Sequence, residues 1–328
     1  MDPRLTAALV NAVVVVIGVP ATLVGYILLI EQLLRAVPDR LQPRIRPWLW
    51  LLPALAFLGV FLVYPTFQTI IRSLQNRAGT EFIGLANFEW FFGNKDALSA
   101  LVNSGIWVVL LPVITVGLGL LIAVIVDRVR YESVAKSVIF LPLAISATAA
   151  GVIWAFMFFW QPPGQPQVGT LNGLITTVGA DPVAFLQVSD AKFNTVMLII
   201  VMAWMWTGFA MVIISAAYKG ISRELLEAAR VDGANEVRVF QSIVWPLLTP
   251  TIAVITTTMV ITALKTFDLV YVMTGGQFDT SVVAFSMIQQ LGFGRSDRSA
   301  AVAVILLLAI VPVMAFQIRQ FRRQEAMR

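Results

Sequence analysis

Seven long stretches of the chain carry almost no charged side chains, and each is long enough to cross a lipid bilayer. A transmembrane helix requires about 20 mainly apolar residues. The stretches lie at about residues 6–30, 48–71, 99–126, 137–160, 193–217, 247–273 and 299–318. The pattern therefore predicts an all-α polytopic membrane protein with seven transmembrane helices.

The composition agrees with this interpretation and excludes several functions. Hydrophobic residues make up 59% of the 328 residues and charged residues 12%, whereas soluble domains have about 25% charged residues. Cysteine and histidine are both absent, which excludes disulfides, Cys/His zinc sites, a thiol nucleophile and a Ser-His-Asp triad. The net charge of +5 does not indicate nucleic-acid binding, because membrane proteins collect Lys and Arg on their cytoplasmic loops.

The distribution of positive charge predicts the orientation in the membrane. Loops 31–47, 127–136 and 218–246 and the carboxyl-terminal tail carry 15 Lys and Arg residues, against 7 on the opposite face. The positive-inside rule places the first set in the cytoplasm, with the amino terminus outside and the carboxyl terminus inside. Residues Leu5 to Ile30 contain no charge and exceed the 7–15 residues of a signal-peptide core, so we expect a retained span.

The loop at residues 218–246 has the most distinctive pattern, E-A-A-x3-G-x9-I-x-W-P, running from Glu227 to Pro246. Ser222 is suited to cap a helix, and Glu224 favours its first turn. Gly233 can end that helix in the left-handed conformation, and residues 234–244 predict a second helical stretch. Two short rigid helices at a fixed angle are suited to pass motion from a soluble motor to membrane helices.

This stretch resembles the E-A-A loop of bacterial binding-protein-dependent sugar permeases of the ATP-binding-cassette (ABC) class, in the maltose-type family. Trp245 departs from the family pattern, which usually has Leu. The resemblance extends over about residues 48–320. Further matches are Leu51-Leu52-Pro53, Gly84-Leu85-Ala86-Asn87-Phe88, Phe140-Leu141-Pro142, Lys265-Thr266-Phe267-Asp268 and Met273-Thr274-Gly275-Gly276. The family commonly has proline after the paired glycines, whereas this chain has Gln277-Phe278. This variant is similar to the corresponding segment of permeases for α-glucosides.

The resemblance implies a type I ABC importer transmembrane domain with a six-helix core and one extra amino-terminal helix. Its domains would be an extra helix and basic linker at 1–47, the permease domain at 48–320 and a basic tail at 321–328. It implies a bacterial inner-membrane location. The implied partners are a second homologous permease, two ATPase subunits and an extracytoplasmic sugar-binding protein. The residues implied to contact the ATPase are Glu227, Ala228, Ala229, Asp232, Gly233, Ala234, Phe240 and Pro246.

The chain contains no G-x-x-x-x-G-K-[ST] phosphate-binding motif. We therefore expect it to bind no cofactor and to have no catalytic residues or metal site of its own. ATP and Mg²⁺ would be bound by the separate ATPase subunits.

Candidate residues for a substrate path lie in the predicted fifth and sixth spans. Lys265 and Asp268 are the only charges within a predicted span, and their spacing places them on one helix face. They form either a structural pair that neutralises itself between helices or, through Asp268, a contact with a sugar hydroxyl. Tyr271 lies one turn further. Trp204 and Trp206 either stack on sugar faces or fill a helix interface.

Small residues and prolines in the spans predict how the helices pack. Gly105, Gly117, Gly119 and Gly208 would allow close approach between helices. Pro112 and Pro312 predict kinks.

Two other classes of function compete with an ATP-driven importer. A secondary transporter would be driven by an ion gradient, but such proteins usually carry more buried Asp, Glu or His than this sequence offers. An integral membrane enzyme would need a metal cluster or paired carboxylates near a span, and the sequence contains no such pattern.

Overall fold

The protein is built from α-helices, which confirms the predicted class. The computed structural model describes residues 3–127 and 129–325. Within them, the extended backbone pairing is limited to one isolated bridge between Gln75 and Phe82. The helices are α1 (Pro3–Arg35), α2 (Gln42–Leu58), α3 (Tyr64–Ser73), α4 (Ala86–Gly93), α5 (Lys95–Val126), α6 (Glu132–Phe140), α7 (Ala147–Met157), α8 (Thr170–Thr177), α9 (Phe193–Lys219), α10 (Arg223–Val231), α11 (Glu236–Val239), α12 (Trp245–Leu264), α13 (Asp268–Met273), α14 (Val283–Gly292) and α15 (Ser296–Glu325).

The chain divides into two compact units, one ending at Gln68 and the other beginning at Thr69. In the first unit, the guanidinium of Arg46 contacts the carboxylate of Glu31 at 2.6 Å. The hydroxyl of Tyr26 donates a hydrogen bond to the carbonyl of Leu49. These two contacts join α1 to α2. The domain boundaries at 47/48 and 320/321 stay predictions, and residues 326–328 of the predicted tail lie outside the described residues.

The second unit is organised around α5 and α9, which pack along their lengths. Gly119 permits this packing, since a Cβ atom there would lie 2.7 Å from the Cβ of Ala210. Gly208 lies against the end of α6, where an added Cβ would be 2.4 Å from the carbonyl oxygen of Ile139. The expectation of close approach is confirmed at these two glycines. It is wrong at Gly105 and Gly117, where an added Cβ would meet no atom of the described residues within 4 Å.

Six helices of the described chain are long and apolar enough to cross a membrane. They are Val14–Arg35, Gln42–Ser73, Lys95–Val126, Asp190–Lys219, Glu236–Leu264 and Ser296–Arg319. Pro112 and Pro312 lie inside α5 and α15, and both helices continue through them.

The predicted fourth span is not a straight helix. The segments Glu132–Ala144 and Ala147–Met157 are bent by 98°, so the predicted total of seven spans is reached only if this pair counts as one. A short 3₁₀ turn containing Pro142 precedes the bend. The hydroxyl of Ser146 then accepts a hydrogen bond from the backbone N–H of Ala149 at 3.2 Å, which caps α7 as a new helix.

The predicted sixth span, 247–273, is placed too late in the chain. The span in the structure is Glu236–Leu264, and it includes a π-helical segment at Phe240–Val244. Pro246 lies two residues after this segment and has no N–H to donate, which accounts for a local change of hydrogen-bond register. The chain leaves the helix at Lys265 and starts the separate helix α13 at Asp268.

Candidate functional site

The E-A-A pattern folds into an exposed helix, a tight turn and the start of a membrane-spanning helix, here called the elbow (residues 222–246). Helix α10 ends at Val231, and Gly233, two residues later, has a left-handed φ of 83°. The N–H of Ala234 bonds to the carbonyl of Ala229 at 3.0 Å, and the N–H of Gly233 to that of Arg230 at 3.0 Å. This pair of hydrogen bonds is a Schellman motif, and it confirms the prediction that Gly233 ends the helix in the left-handed conformation.

One face of the elbow is anchored in the apolar core of the second unit. Leu226, Ala229, Ala234 and Phe240 are partly buried against a core cluster that contains Ile214. The opposite face is exposed and contains Glu227, Ala228, Asp232, Gly233 and Pro246. The predicted contact residues therefore divide into an anchoring set and an exposed set.

Two details of the elbow differ from the sequence expectation. Ser222 occupies the cap position of α10, but among the described residues its hydroxyl accepts no hydrogen bond from the helix. The second helical stretch starts at Asn235, whose side-chain oxygen accepts a hydrogen bond from the N–H of Arg238 at 2.9 Å. That helix is the first part of the membrane span, so only the four residues 232–235 connect α10 to the span.

One ion pair closes the turn of the elbow, and a second group of ion pairs lies beside the elbow on α6 and α9. Arg230 contacts Glu236 across the turn at 2.8 Å, and this hydrogen bond raises the pKa of the Arg230 guanidinium. Beside it, Lys219 at the end of α9 contacts Glu132 at 2.6 Å and Asp127 at 3.6 Å. Glu132 also pairs with Lys136 on α6.

A cavity of about 470 Å³ opens beside these ion pairs. Its lining is Asp127, Glu132, Tyr218, Lys219, Ile221, Arg223, Leu226, Glu227 and Arg230. Sequence reasoning missed the Lys219–Glu132–Lys136 network. Two signals were available in the sequence. Glu132 and Lys136 have the i,i+4 spacing of a helical ion pair, and Lys219 follows the apolar run at residues 193–217.

The predicted pairing of Lys265 and Asp268 is wrong. Lys265 follows the last residue of α12, and Asp268 begins α13 after a break in the helix, so the two do not share a helix face or lie within a span. Among the described residues, neither side chain takes part in a salt bridge, and both are exposed. The two residues between them, Thr266 and Phe267, are not helical and interrupt the helix. A spacing rule for continuous helices cannot anticipate such a break.

The aromatic candidates lie in three separate ring contacts. Trp204 meets Trp154 edge-on at 5.5 Å, and Trp206 meets Phe209 in the same manner at 5.5 Å. Tyr271 stacks on Phe267 at 5.3 Å. Trp204 and Trp206 point away from each other because they are two residues apart on one helix. Trp204 and Tyr271 are the more exposed, at 36% and 60%.

The loop after α13 is held by buried asparagines that sequence reasoning also missed. The amide of Asn103 donates to the carbonyls of Asp279 and Ser281 at 2.8 and 2.7 Å. Asn194 donates to the carbonyl of Phe278 at 2.6 Å. Asparagine within an apolar run was the signal, since buried amides need partners.

Strained backbone accompanies this loop. Phe278 and Asp279 have positive φ, as do Ala191 and Lys192, which face them. The ammonium of Lys192 pairs with the carboxylate of Asp279. Burial raises the pKa of Asp279, but hydrogen bonds from Lys192 and Ser99 outweigh it, so the pKa lies below its ordinary value.

The described residues contain no group of three or more Asp or Glu side chains placed to hold a metal ion. The second unit is a helical bundle. The exposed elbow is one connection between its helices, and the loop held by Asn103 and Asn194 is another. A bundle of spanning helices with such an elbow defines the membrane subunit of a transport system. The chain belongs to the family of binding-protein-dependent transport system inner membrane components, whose model matches residues 115–325.

Relatives cover most of the chain. It is 46% identical over 281 residues to the osmoprotective compounds uptake permease protein GgtC of Synechocystis, covering 85% of this chain and 100% of GgtC. It is 39% identical to the alpha-glucoside transport system permease protein AglF of Rhizobium meliloti, covering 87% of this chain and 85% of AglF.

A solved structure has the same fold. A chain of a bacterial alginate ABC transporter, crystallised with an alginate pentasaccharide-bound periplasmic protein, superposes with a TM-score of 0.74 at 23% identity. The match covers 87% of this chain and 98% of that chain. The fold is therefore that of an ABC transporter permease, as expected.

Proposed function

We propose that the chain is the permease subunit of an ATP-driven importer that moves an α-glucoside or another small oligosaccharide across the bacterial inner membrane by alternating access. The observation that carries this proposal is the elbow. Its anchored face lies in the core, its exposed face presents Glu227, and its turn leads directly into the span Glu236–Leu264. A force applied to α10 therefore reaches a membrane helix through rigid backbone.

The energy would come from other subunits. We propose two ATPase subunits that bind ATP and Mg²⁺, one of them receiving α10 in a cleft, and a second homologous permease that completes the path. An extracytoplasmic binding protein would deliver the sugar. The family membership supports these partners, since its members are components of binding-protein-dependent systems.

The substrate class rests on relatives and on one sequence detail. AglF is an alpha-glucoside permease, and a further relative, LacF of Rhizobium radiobacter, is a lactose permease at 29% identity. The Gln277-Phe278 pair is similar to the α-glucoside permeases. We propose that Trp204, Tyr271 and Asp268 lie along the path, because an aromatic face and a carboxylate are suited to a sugar ring, and all three are exposed in the single chain.

The orientation follows the charge distribution, with the elbow and carboxyl terminus in the cytoplasm and the amino terminus outside. In this arrangement the loop clamped by Asn103 and Asn194 lies on the outer side. ATP binding would turn the path outward, and hydrolysis would reset it.

Uptake of labelled α-linked disaccharides by cells that express the chain with its neighbouring transport genes tests the proposal. Uptake should stop when ATP is depleted and continue when an ionophore collapses the membrane potential. The reverse result would favour a secondary transporter. A cysteine placed at Ala228 should form a cross-link to an ATPase subunit, and a matched cysteine at Gly164 should not; failure at Ala228 would contradict the role of the elbow even if uptake were observed.

A further inference from the structure

A second polar cavity, of about 540 Å³, lies in the second unit, away from the elbow. It is formed where residues 77–97 meet residues 281–298, and its walls come from α4, the start of α5, α14 and the start of α15. Its lining is Arg77, Trp90, Asn94, Asp96, Ala97, Ser281, Ser286, Gln289, Gln290, Phe293, Arg295 and Arg298. None of these residues belongs to the elbow or to the proposed path.

Three arginines line this cavity, and the structure satisfies them unequally. Arg77 donates to the carbonyls of Gly294 and Phe293 at 3.3 and 3.4 Å. Arg295 forms a two-pronged contact with Asp297, at 3.1 and 2.8 Å. The guanidinium of Arg298 lies 4.3 Å from the ring centre of Trp90, and within the described chain its buried Nε finds no hydrogen-bond acceptor.

The charge balance of the cavity is positive. Asp297 neutralises Arg295, which leaves Arg77 and Arg298 against the exposed carboxylate of Asp96. A buried donor without an acceptor costs free energy, and native proteins rarely leave one without a reason. That Nε is itself enclosed, so an anionic acceptor in the cavity would bind the terminal guanidinium nitrogens of Arg298, which form no hydrogen bond or ion pair among the described residues. The planar guanidinium favours an oxyanion that accepts two parallel hydrogen bonds.

The surroundings indicate which oxyanion fits. Phe293, which lines the cavity, is 62% exposed, and Leu291 beside it is 54% exposed. Aromatic residues next to basic groups at the ends of membrane helices are typical of the lipid headgroup region. Arginine, an indole ring and exposed apolar side chains thus lie together at the end of α14 and the start of α15.

We propose that this cavity binds a phosphate ester, with its phosphate oxygens held by Arg298 and Arg77 beside the indole of Trp90. Such a group is carried by the headgroup of an anionic phospholipid and by small phosphorylated solutes. Gln289 lines the same cavity with an exposed side chain, and it supplies a position at which an added carboxylate would neutralise the positive charge of the cavity.

The test uses the full-length chain purified in detergent with the subunits that accompany it. Native mass spectrometry would compare retention of phosphatidylglycerol and phosphatidylcholine supplied at equal amounts. Titration calorimetry with inorganic phosphate and with glycerol 3-phosphate covers the soluble source. Two variants change the charge of the cavity. Arg298→Gln removes one of the two guanidinium groups proposed to hold the phosphate, and Gln289→Glu adds a negative charge beside them. Arg322→Gln is the control because it removes one exposed positive charge in the last turns of α15.

The wild-type chain should retain phosphatidylglycerol about tenfold more than phosphatidylcholine, and both cavity variants should lose most of that preference, as expected for loss of a charge-assisted contact. The control should keep it. Soluble phosphate that binds the wild type but neither variant would instead assign the site to a free phosphate ester. If the chain shows neither a lipid preference nor phosphate binding, or if Gln289→Glu leaves both unchanged, the proposal is overturned. Gln289→Glu keeps the test decisive if Arg298→Gln does not fold.

Discussion

Gly208 of α9 lies directly against the backbone of Ile139, at the end of α6. A Cβ atom at position 208 would lie 2.4 Å from the carbonyl oxygen of Ile139. The neighbour is backbone, which cannot move aside as a flexible side chain does. This contact fixes the long helix of the core to the segment that precedes the 98° bend.

Gly208→Ala should therefore destabilise the protein by about 1–3 kcal/mol, the usual cost of overpacking a filled interface. Thermal unfolding in detergent measures this loss. Gly105→Ala is the matched control, since it adds the same methyl group within a spanning helix where nothing lies within 4 Å. An unchanged unfolding temperature in Gly208→Ala would show that the two segments are not in contact.

Replacement of Gly233 should uncouple transport. Proline requires φ near −65°, whereas Gly233 has φ of 83° and donates its N–H to Arg230. We expect Gly233→Pro to reduce sugar uptake at least about tenfold with normal membrane insertion, since the turn that fixes α10 to the next span is lost. Gly164→Pro tests the same conformational change at a loop with φ of 89° outside the elbow. Equal loss of uptake in both variants would argue against a specific role for the elbow.

Reversal of the charge at Glu227 should weaken the contact with the ATPase. Glu227 is exposed and lines the cavity beside Lys219 and Arg230. We propose that Glu227 pairs with a basic group in the cleft of the ATPase subunit. Glu227→Lys should lower ATP-dependent uptake by about tenfold or more, because like charges would then face each other. Co-purification of the ATPase subunits measures the contact itself. Glu224 lies on the same helix and is also exposed. Glu224→Lys should retain most of the ATP-dependent uptake and most of the co-purification with the ATPase subunits.

Asp279 should make the clamped loop sensitive to acid. Its pKa in the folded chain lies below the ordinary value of 3.8, so its stabilising contribution is complete above that value and is lost as the pH falls through the folded pKa. The pair with Lys192 is partly exposed, so Asp279→Asn should cost no more than about 1 kcal/mol. The difference in unfolding temperature between this variant and wild type should be constant at neutral pH, shrink as the pH falls below 3.8 and vanish once the pH is below the folded pKa. Asp181→Asn, also exposed, should show no such difference.

Replacement of Asp268 distinguishes a role in the substrate path from a role in folding. Its carboxylate is exposed and forms no salt bridge among the described residues. Asp268→Asn should therefore leave the amount of folded protein unchanged and raise the KM for sugar uptake severalfold through a lost charge-assisted hydrogen bond. Lys265→Gln serves as the comparison, because that residue lies three positions earlier and is exposed as well. An unchanged KM would remove Asp268 from the path.

The sequence was most informative where the physical rule is local. Long uncharged runs predict spanning helices because lipid offers the backbone no hydrogen-bond partners. Gly233 predicts the end of α10 because few other residues adopt its backbone angles, and the structure confirms that turn. Close packing between helices was predicted at Gly119 and Gly208, where it occurs, and also at Gly105 and Gly117, which face open space. The sequence does not say which side of a helix meets a neighbour.

By itself, the sequence determined the helical class, the membrane-spanning character and the position of the elbow, each of which depends on neighbouring residues along the chain. Only the tertiary structure decided that α12 ends before Lys265, that the fourth span bends at Ser146, and that Lys219 meets Glu132 while Arg298 lies over Trp90. These features depend on which segments approach each other in space. The free energy of a break, a bend or an ion pair is set by that packing, and residue spacing along one helix does not contain it.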